Sequence, residues 1–247
     1  MTKDLPDYES TPQVFGDSPI VDLAELAARL GSPYLFERRG DIVYLDDFED
    51  CIDGAALPGR WGTGGSGTGY AVIASNTVSY TGLLSVKLTG GSDGSRNAFI
   101  QKNYPAARST RWAQLFFFSL SSSANTASIN NNLRGDNGTL LYQGLARLAS
   151  DSLEIYTNGA WVTVKENLNL YHNSAQFHAF KLVIDYSTKK YVKLWLDDET
   201  VDISEYDLYS LASSGKKYRQ AQAYVYSVAG KNAIMYLDNL VVTENEP

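Results

Sequence analysis

Residues 179–197 read AFKLVIDYSTKKYVKLWLD, two short apolar or alternating runs joined by a polar segment. Alternation of apolar and polar residues places one side of an extended chain against a core and the other side away from it. Lys189 and Lys190 fit a solvated turn between the two runs. This stretch therefore predicts two neighbouring β-strands.

The same pattern recurs from residue 40 to the end of the chain. The clearest further runs are IVYLDDF (42–48), YAVIAS (70–75), LLSVKLT (83–89), AFIQKNY (98–104), AQLFFFSL (113–120), LEIYT (153–157), WVTV (161–164), QAYVYSV (222–228) and IMYLDNLVV (234–242). Turn residues such as Gly90–Gly91 and Asn158–Gly159 separate them. Many short strands at this spacing are typical of a β-sandwich or barrel, and the lack of an internal repeat argues against a propeller or solenoid.

The beginning of the chain has a different character. Residues 1–20 are rich in Pro, Asp, Ser and Thr without periodicity, which predicts an extended arm. Residues 21–30, VDLAELAARL, carry apolar side chains at helical spacing and are followed by Gly31 as a stop signal. We therefore expect an arm and one short α-helix over residues 1–39, and a β-sandwich over residues 40–247.

Composition and charge exclude several classes of function. The 247 residues carry a formal net charge of −7, whereas a nucleic-acid binder needs a basic surface. A single cysteine, Cys51, allows no intramolecular disulfide and no cysteine-based zinc site. The N-terminus lacks the pattern of a secretory signal, and no stretch is apolar for long enough to span a membrane. We expect a protein made in the cytoplasm, with no membrane span and no nucleic-acid partner.

The glycine-rich stretch WGTGGSGTGY (61–70) contains a weak match to a dinucleotide-binding motif. That motif needs a helix directly after its last glycine, so that backbone N–H groups meet the pyrophosphate. Here the following residues, YAVIAS, predict a strand instead. A flexible loop is the better interpretation of residues 61–70.

Taken in order, several segments resemble a known superfamily. They are LDDFED (45–50), GLLSVKL (82–88), NGAWVTV (158–164), FHAFKLVIDYSTKKYVKLWLDD (177–198) and AIMYLDNLVV (233–242). This set resembles the concanavalin A-like lectin/glucanase superfamily over about residues 40–245. The resemblance implies an all-β fold, a jelly-roll sandwich of two antiparallel sheets, whose concave face binds or hydrolyses glycans in some members. The arm and helix resemble the N-termini of uncharacterised phage and bacterial structural proteins.

The glucanases that the chain resembles carry their catalytic residues in the motif Glu-x-Asp-x-(x)-Glu on one strand. Two glutamates then flank the glycosidic bond. The nearest match begins with Glu205 and Asp207, but Tyr209 and Ser210 stand where the second glutamate is needed. His178, at the start of a strand, fits a structural role better than a catalytic triad. The sequence therefore predicts no enzymatic activity.

An aromatic stripe is the first candidate binding feature. Alternation in YVKLWLD and QAQAYVYS places polar and aromatic side chains opposite the aliphatic ones, on what we expect to be one sheet surface. These candidate residues are Tyr191, Lys193, Trp195, Gln222, Tyr224 and Tyr226. Such rings suit stacking on a sugar or contact with another protein. Packing beneath a loop or the arm is the alternative.

A calcium site is the second candidate, and it comes from the resemblance. Relatives hold a structural calcium where the first and last strands meet, and Asp47, Glu49 and Asp238 offer the hard oxygen ligands that calcium needs. The alternative is that Asp238 and Asn239 only cap hydrogen bonds at a strand end. No other cofactor is expected. Asn137–Gly138–Thr139 forms a glycosylation sequon but is better interpreted as a turn.

Three functions follow in order of preference. The first is a non-enzymatic structural or adhesive protein, such as a decoration, minor capsid or tail component of a virion or other extracellular assembly, with a homo-oligomer or capsid and tail proteins as partners. The second is a carbohydrate-binding module that uses aromatic residues of the concave face. The third is a glycoside hydrolase or lyase with an atypical catalytic pair.

Overall fold

The structure is a computed structural model. The described residues are 40–93, 96–104, 110–121, 127–168, 170–171, 176–213 and 215–247. The predicted arm and helix of residues 1–39 lie outside them. No helix in this described part has the length and hydrophobicity needed to cross a bilayer.

The described chain is built from sixteen β-strands. They are β1 (Asp41–Asp46), β2 (Gly62–Ser66), β3 (Ala71–Ser75), β4 (Ser85–Thr89), β5 (Asn97–Tyr104), β6 (Arg111–Leu120), β7 (Ala127–Asn137), β8 (Leu140–Ala149), β9 (Ser152–Thr157), β10 (Ala160–Lys165), β11 (His178–Asp185), β12 (Lys190–Leu196), β13 (Glu199–Asp202), β14 (Tyr209–Ala212), β15 (Lys217–Ser227) and β16 (Ile234–Glu244). Every run predicted from the sequence contains a strand.

The strands form two eight-stranded antiparallel sheets. Sheet A has the order β13-β12-β11-β6-β16-β4-β3, with β1 also paired to β16. Sheet B has the order β10-β9-β8-β7-β15-β5-β2, with β14 also paired to β8. Each sheet also pairs strands that are distant in sequence, such as β6 with β16 and β7 with β15, as in a jelly roll. The predicted all-β sandwich of two antiparallel sheets is confirmed.

The hydrophobic core lies between the sheets, and alternation decides which side chains enter it. In β15, Ala221, Ala223 and Val225 are buried in the core cluster, whereas Gln222 and Tyr224 occupy the alternate positions. The side chains of Gln222 and Tyr224 therefore belong to the outer face of sheet B. This separation positions the candidate site described below.

A β-bulge in β12 changes the face of one predicted site residue. Val183 pairs with Lys193, but the next residue, Ile184, pairs with Tyr191, so Val192 is one residue too many. A bulge of this kind shifts the alternation by one position. Tyr191 consequently enters the core, where it is only 1% exposed.

Two buried carboxamides connect the sheets through the core. Gln114 of β6 donates from Nε2 to the backbone oxygen of Gln222 in sheet B, at 3.0 Å. In the opposite direction, Asn131 of β7 donates from Nδ2 to the backbone oxygens of Gln114 and Phe180 in sheet A, at 3.0 and 3.2 Å. These bonds tie the central strands of one sheet to those of the other at a fixed register.

The glycine-rich stretch is a strand, and the predicted flexible loop is wrong. Gly62–Ser66 forms β2 at the edge of sheet B, paired to β5. A Cβ atom on Gly64 would lie 2.6 Å from the ring of Phe99, and one on Gly65 would lie 2.4 Å from the ring of Tyr70. Glycine is needed here because aromatic rings lie directly against the backbone.

The sequon forms the predicted turn. Asn137 ends β7, Gly138 has a φ of +92°, and Leu140 begins β8. The side chain of Asn137 accepts hydrogen bonds from the backbone N–H groups of Thr139 and Leu140. This turn joins the two central strands of sheet B.

Substituting Tyr191 with phenylalanine should destabilise the protein without changing its fold. The Tyr191 hydroxyl accepts from the backbone N–H of Leu145 at 2.9 Å and donates to the backbone oxygen of Tyr156 at 2.7 Å. Its removal leaves buried polar groups without partners, so we expect Y191F to lose about 2 kcal/mol of unfolding free energy in urea denaturation. Tyr70 is half exposed, and Y70F should change stability by less than about 0.5 kcal/mol. Equal effects of the two variants would contradict this role for Tyr191.

Candidate functional site

The six residues predicted as one aromatic stripe lie in three places. Tyr191 is part of the core, which corrects its predicted outward position. Lys193 and Trp195 lie in β12 of sheet A, and Trp195 is 8% exposed. The other three candidates, Gln222, Tyr224 and Tyr226, occupy the outer face of sheet B. The predicted single surface is therefore wrong, because the two segments that supply it belong to different sheets.

The outer face of sheet B carries a row of carboxamides across three neighbouring strands. Asn132 of β7 donates to Oε1 of Gln222 in β15 at 2.6 Å, and Gln222 donates to Oε1 of Gln101 in β5 at 2.7 Å. Tyr224 also donates to Oε1 of Gln222, at 2.8 Å. We call Asn132, Gln222 and Gln101 the amide row. Each member orients the next, so the row presents a fixed pattern of polar atoms.

Aromatic side chains lie on both sides of the centre of this face. In β5 and β15, the rings of Phe99 and Tyr224 are 5.1 Å apart between centroids, and Tyr224 and Tyr226 stack at 5.8 Å. In β9 and β10, Tyr156 and Trp161 meet edge to face at 5.2 Å. The two groups are three strand spacings apart, about 14 Å.

Two arginines lie between the aromatic groups. Arg147 of β8 forms an ion pair with Glu154 at 2.5 Å and lies over the Trp161 ring, 3.9 Å from its centroid. Arg134 of β7 forms no ion pair with a described residue, and its buried Nε has no hydrogen-bond partner among them. Asp136, two residues beyond Arg134 in β7, accepts hydrogen bonds from Gly138 and Ser213. Arg134 is therefore the cation of this face that is not paired with a carboxylate among the described residues.

Arg134 acts electrostatically on the two stacked tyrosines. Burial raises the pKa of Tyr224 and the pKa of Tyr226, and the positive charge of Arg134 opposes both shifts. Both phenols consequently hold their protons at neutral pH. They are groups that can donate a hydrogen bond or a proton to a ligand held beside Arg134.

Several buried acceptors on this face also lack partners in the described part of the chain. They are Oδ1 of Asn130, Oδ1 of Asn132 and Oε1 of Gln220. A buried polar atom without a partner costs free energy that a ligand or a water molecule can restore. Hydroxyl donors of a sugar match such acceptors.

The strands that hold this centre were missed in the sequence. The segment ASINNNLRGDN of β7 contains a run of three asparagines and looks like a loop. Its signal was the alternation of Ile129 and Leu133, which are both fully buried in the core, with polar residues between them. Asn131 occupies the core-facing position between Ile129 and Leu133. Because this position is polar, the two-residue alternation of a strand could not be recognised in the sequence.

The predicted calcium ligands do not assemble into a three-carboxylate group. Asp47 is exposed and accepts from the backbone N–H of Glu49. Glu49 accepts from the backbone N–H groups of Leu83 and Leu84. Within the described ranges, no three His, Cys, Asp or Glu side chains are placed to hold a metal ion. Calcium stays a prediction.

Asp238, the third predicted ligand, holds the loop that precedes β4. It is fully buried at a bulge of β16, and its Oδ2 accepts from the backbone N–H groups of Tyr80 and Thr81 at 2.8 and 3.2 Å. Burial raises the pKa of Asp238 from its ordinary 3.8 to about 6, against the effect of these hydrogen bonds, and the charge of Glu49 adds to the rise. These contacts match the alternative to a calcium site, in which Asp238 accepts hydrogen bonds from backbone N–H groups at the irregular part of the strand.

A pair of carboxylates suited to glycoside hydrolysis is missing from the described outer face of sheet B. Such a pair lies about 5–10 Å apart with both groups free to reach the sugar. Glu154 of β9 lies near the centre of this face, but its carboxylate forms an ion pair with Arg147. Asp207, from the nearest sequence match, precedes β14 and contacts Lys190 at 3.3 Å. His178 is buried and held by Asp197, in agreement with the structural role expected for it.

Comparisons with known proteins establish the fold. No protein family and no curated protein matches the sequence. Among solved structures, an endo-β-1,4-glucuronan lyase from the fungus Trichoderma reesei matches with a TM-score of 0.55 and 14% identity, over 83% of this chain and 96% of that chain. The fold is a concanavalin A-like jelly roll. The predicted superfamily resemblance is thereby confirmed at the level of the fold.

Two further solved structures have the same arrangement. A cellulose-induced protein matches with a TM-score of 0.54 and 13% identity, over 81% of this chain and 96% of that chain. A protein assigned as a β-glucanase from Mycobacterium abscessus matches with a TM-score of 0.51 and 12% identity, over 82% of this chain and 100% of that chain. At these identities the likeness concerns the fold alone.

The comparisons contradict the preferred functional prediction. The matched jelly rolls are connected by name with polysaccharides, and none of these three is a virion component. The prediction of a non-enzymatic structural protein with capsid or tail partners is therefore wrong, and so is the inference that the chain has no enzymatic activity. The missing glucanase motif excluded only one mechanism, since a lyase breaks a glycosidic bond without a carboxylate pair. The resemblance to uncharacterised phage proteins has no counterpart here.

The raised pKa of Asp238 predicts a pH-dependent stability. Between about pH 4 and pH 6 the folded protein binds a proton at Asp238 that the unfolded chain does not, so this residue's contribution to stability is present at low pH and is lost as the pH rises through 6. The D238N variant lacks this titration. We expect the wild-type minus D238N difference in unfolding free energy to grow by about 2 kcal/mol on lowering the pH from 7 to 4.

The matched control for this experiment is D202N. Asp202 is exposed and its pKa is lowered by the backbone N–H of Ser204, so its substitution should give a change of the opposite sign over the same pH range. Urea denaturation at several pH values measures both variants. A wild-type minus D238N difference that stays constant with pH would contradict the shift.

Proposed function

We propose that this protein binds a polysaccharide across the outer face of sheet B, and that the glycan carries uronate carboxylates. The observation that carries the proposal is the amide row next to Arg134, a fixed set of polar atoms beside a half-buried cation. Carboxamides recognise sugar hydroxyls because each amide offers both donors and acceptors. Arginine recognises a carboxylate through two parallel N–H groups.

The aromatic groups support a ligand longer than one sugar. Tyr224 and Tyr226 in β15 and Trp161 in β10 are four strand spacings apart, about 19 Å, a span greater than a single monosaccharide ring. Flat rings bind the apolar faces of sugars through stacking. A chain of several sugars could therefore contact both aromatic groups and the polar centre together.

The charge of the face supports an acidic glycan. The net charge of the protein is −7, so its overall field repels a polyanion. Binding must then come from local cations, and Arg134 and Arg147 lie at the middle of the face. Glu154 compensates Arg147, which leaves Arg134 as the cation available to a uronate. The matched glucuronan lyase, named for an acidic polysaccharide, is consistent with this ligand class.

Substituting Arg134 should weaken binding of an acidic polysaccharide selectively. We expect R134Q to bind a polyglucuronate about tenfold or more weakly than the wild type, because a charge-assisted hydrogen bond to the carboxylate is lost. Isothermal titration calorimetry with polyglucuronate and with a neutral β-glucan of equal length measures the difference. The neutral glucan should bind less tightly and should respond less to R134Q.

The matched control is Lys87→Gln. Lys87 lies in β4 of sheet A and is half-buried as Arg134 is, so K87Q removes one positive charge from the other sheet. It should leave polyglucuronate binding unchanged. If K87Q and R134Q lose the same affinity for polyglucuronate, the loss reflects net charge alone and contradicts a specific role for Arg134. Equal affinity of the wild type for the neutral and acidic glycans would refute the uronate preference.

Cleavage of the bound glycan by β-elimination is the second candidate function. In this reaction a base removes the proton on the carbon next to the uronate carboxylate, a carbon–carbon double bond forms, and the glycosidic oxygen leaves with a proton. The specific observation in its favour is Arg134 beside two tyrosines. Arg134 would neutralise the carboxylate and so stabilise the negative charge that develops there. Tyr224 or Tyr226 would act as the base that removes the carbon-bound proton and as the acid that protonates the leaving glycosidic oxygen.

The raised pKa of both tyrosines predicts that elimination is slow at neutral pH and faster at alkaline pH. A tyrosine must lose its proton to act as the base, and burial makes that loss harder. We expect wild-type protein to release unsaturated oligosaccharides from polyglucuronate, measured by their ultraviolet absorbance, with a rate that rises from pH 7 to 9. Y226F should lower the rate while retaining binding. If the wild type yields no unsaturated product across this range, the elimination is refuted, and binding stands or falls on its own test.

A further inference from the structure

A separate cavity lies at one end of the sandwich, where β7 ends and β15 begins. Its volume is about 270 Å³, large enough for a small molecule or ion. The side chains that line it include those of Asp136, Tyr142, Tyr186, Lys217 and Arg219. Arg219 pairs with Gly135 in the β-ladder and faces inward, in line with the core residues of β15. Arg219 therefore lines the part of the cavity that lies between the sheets, while Asp136, on the opposite side of β7, also contributes to its lining.

Arg219 is held in a fixed orientation by two aromatic rings. Its guanidinium carbon lies 4.6 Å from the centroid of the Trp112 ring and 4.5 Å from that of Tyr186. A guanidinium between two ring faces has its plane restrained, and its N–H groups can donate only at their edges. The glycine at position 135 makes this possible, because a Cβ atom there would lie 2.3 Å from the Tyr186 ring.

Polar atoms around this arginine lack partners. Nη1 of Arg219 and the hydroxyl of Tyr186 are buried without a hydrogen bond in the described part of the chain. The cost of an unpaired buried guanidinium N–H is large compared with that of a neutral group. The site can thus donate hydrogen bonds to a group that the described residues do not supply.

The charges near the cavity favour an anion. Lys217 and Arg219 line it, and Lys189 lies 5.5 Å from the ring centroid of Tyr142. Of the carboxylates, Asp136 uses its Oδ1 to accept hydrogen bonds from Gly138 and from Ser213. Glu244 also acts on Arg219 through its charge. Three cations near two carboxylates leave a surplus of positive charge.

We propose that this cavity binds a small oxyanion, a phosphate or carboxylate group, with Arg219 as the main ligand and Lys217 as a second cation. The restrained guanidinium offers the planar pair of donors that oxyanions accept. The Tyr186 hydroxyl supplies a further donor. This site is distinct from the proposed glycan face, since Arg134 and Arg219 project to opposite sides of sheet B.

Calorimetric titration with inorganic phosphate and with glucuronate monosaccharide, at a constant ionic strength set by chloride, tests the proposal. The wild type should bind at least one of the two probes, and the probe that binds distinguishes a phosphate site from a carboxylate site. R219Q should weaken that binding about tenfold or more. K217Q should weaken it less, because Lys217 is exposed and contributes charge without a restrained geometry.

K87Q is the matched control, because it removes one positive charge from the other sheet. It should leave phosphate or glucuronate binding in the cavity unchanged, and R219Q should leave the preference for polyglucuronate over the neutral glucan unchanged, so the two proposals fail separately. If R219Q does not fold, K217Q and R219K decide the question, since R219K keeps the charge and loses the planar fork. Absence of binding of both probes, or unchanged binding in R219K and K217Q, would overturn the oxyanion site.

Discussion

The hydrogen bonds of Gln114 and Asn131 across the core are the constraint on which the arrangement depends. A hydrophobic core specifies that two sheets pack, but apolar contacts tolerate small sliding movements. Carboxamides buried between the sheets do not, because a shift would leave several polar groups unpaired in a medium of low dielectric. Gln114 reaches the backbone of Gln222, and Asn131 reaches the backbone of Phe180. The central strands of both sheets are thereby held in one register.

The outer face inherits its order from these inner bonds. The backbone of Gln222 is held from inside by Gln114, and its side chain is the middle member of the amide row on the outside. Asn131 likewise lies between Asn130 and Asn132, whose side chains project outward. A one-residue slip of β7 or β15 would exchange the inner and outer sets of side chains. The polar core bonds therefore stabilise the proposed binding surface as well as the fold.

The fold could be predicted from the sequence because most strands follow the two-residue period closely, as β11 and β15 do. The candidate site could be predicted only in part. Gln222, Tyr224 and Tyr226 were found since β15 keeps its alternation, but the bulge at Val192 moved Tyr191 into the core, and no sequence pattern marks that extra residue. Arg134 was missed because Asn131 occupies a core position with a polar side chain. The hydrogen-bond acceptors of Asn131 are backbone oxygens of Gln114 and Phe180 in the other sheet, and a local sequence pattern cannot show such contacts.

Strand alternation also explains how one ladder can hold two separate cation sites. Arg134 pairs with Gln220, and the next pair along β7 and β15 is Gly135 with Arg219. Successive pairs face opposite sides, so Arg134 belongs to the outer face and Arg219 to the cavity between the sheets. Side chains on the two faces cannot touch through the sheet. Mechanical coupling between the sites would require the ladder itself to move, and the inner bonds of Asn131 and Gln114 resist that movement. Electrostatic coupling needs no movement, and the charge of Arg134 acts on Tyr186 of the cavity. A ligand in the cavity is therefore expected to stabilise the sandwich and to reach the outer face only through its charge.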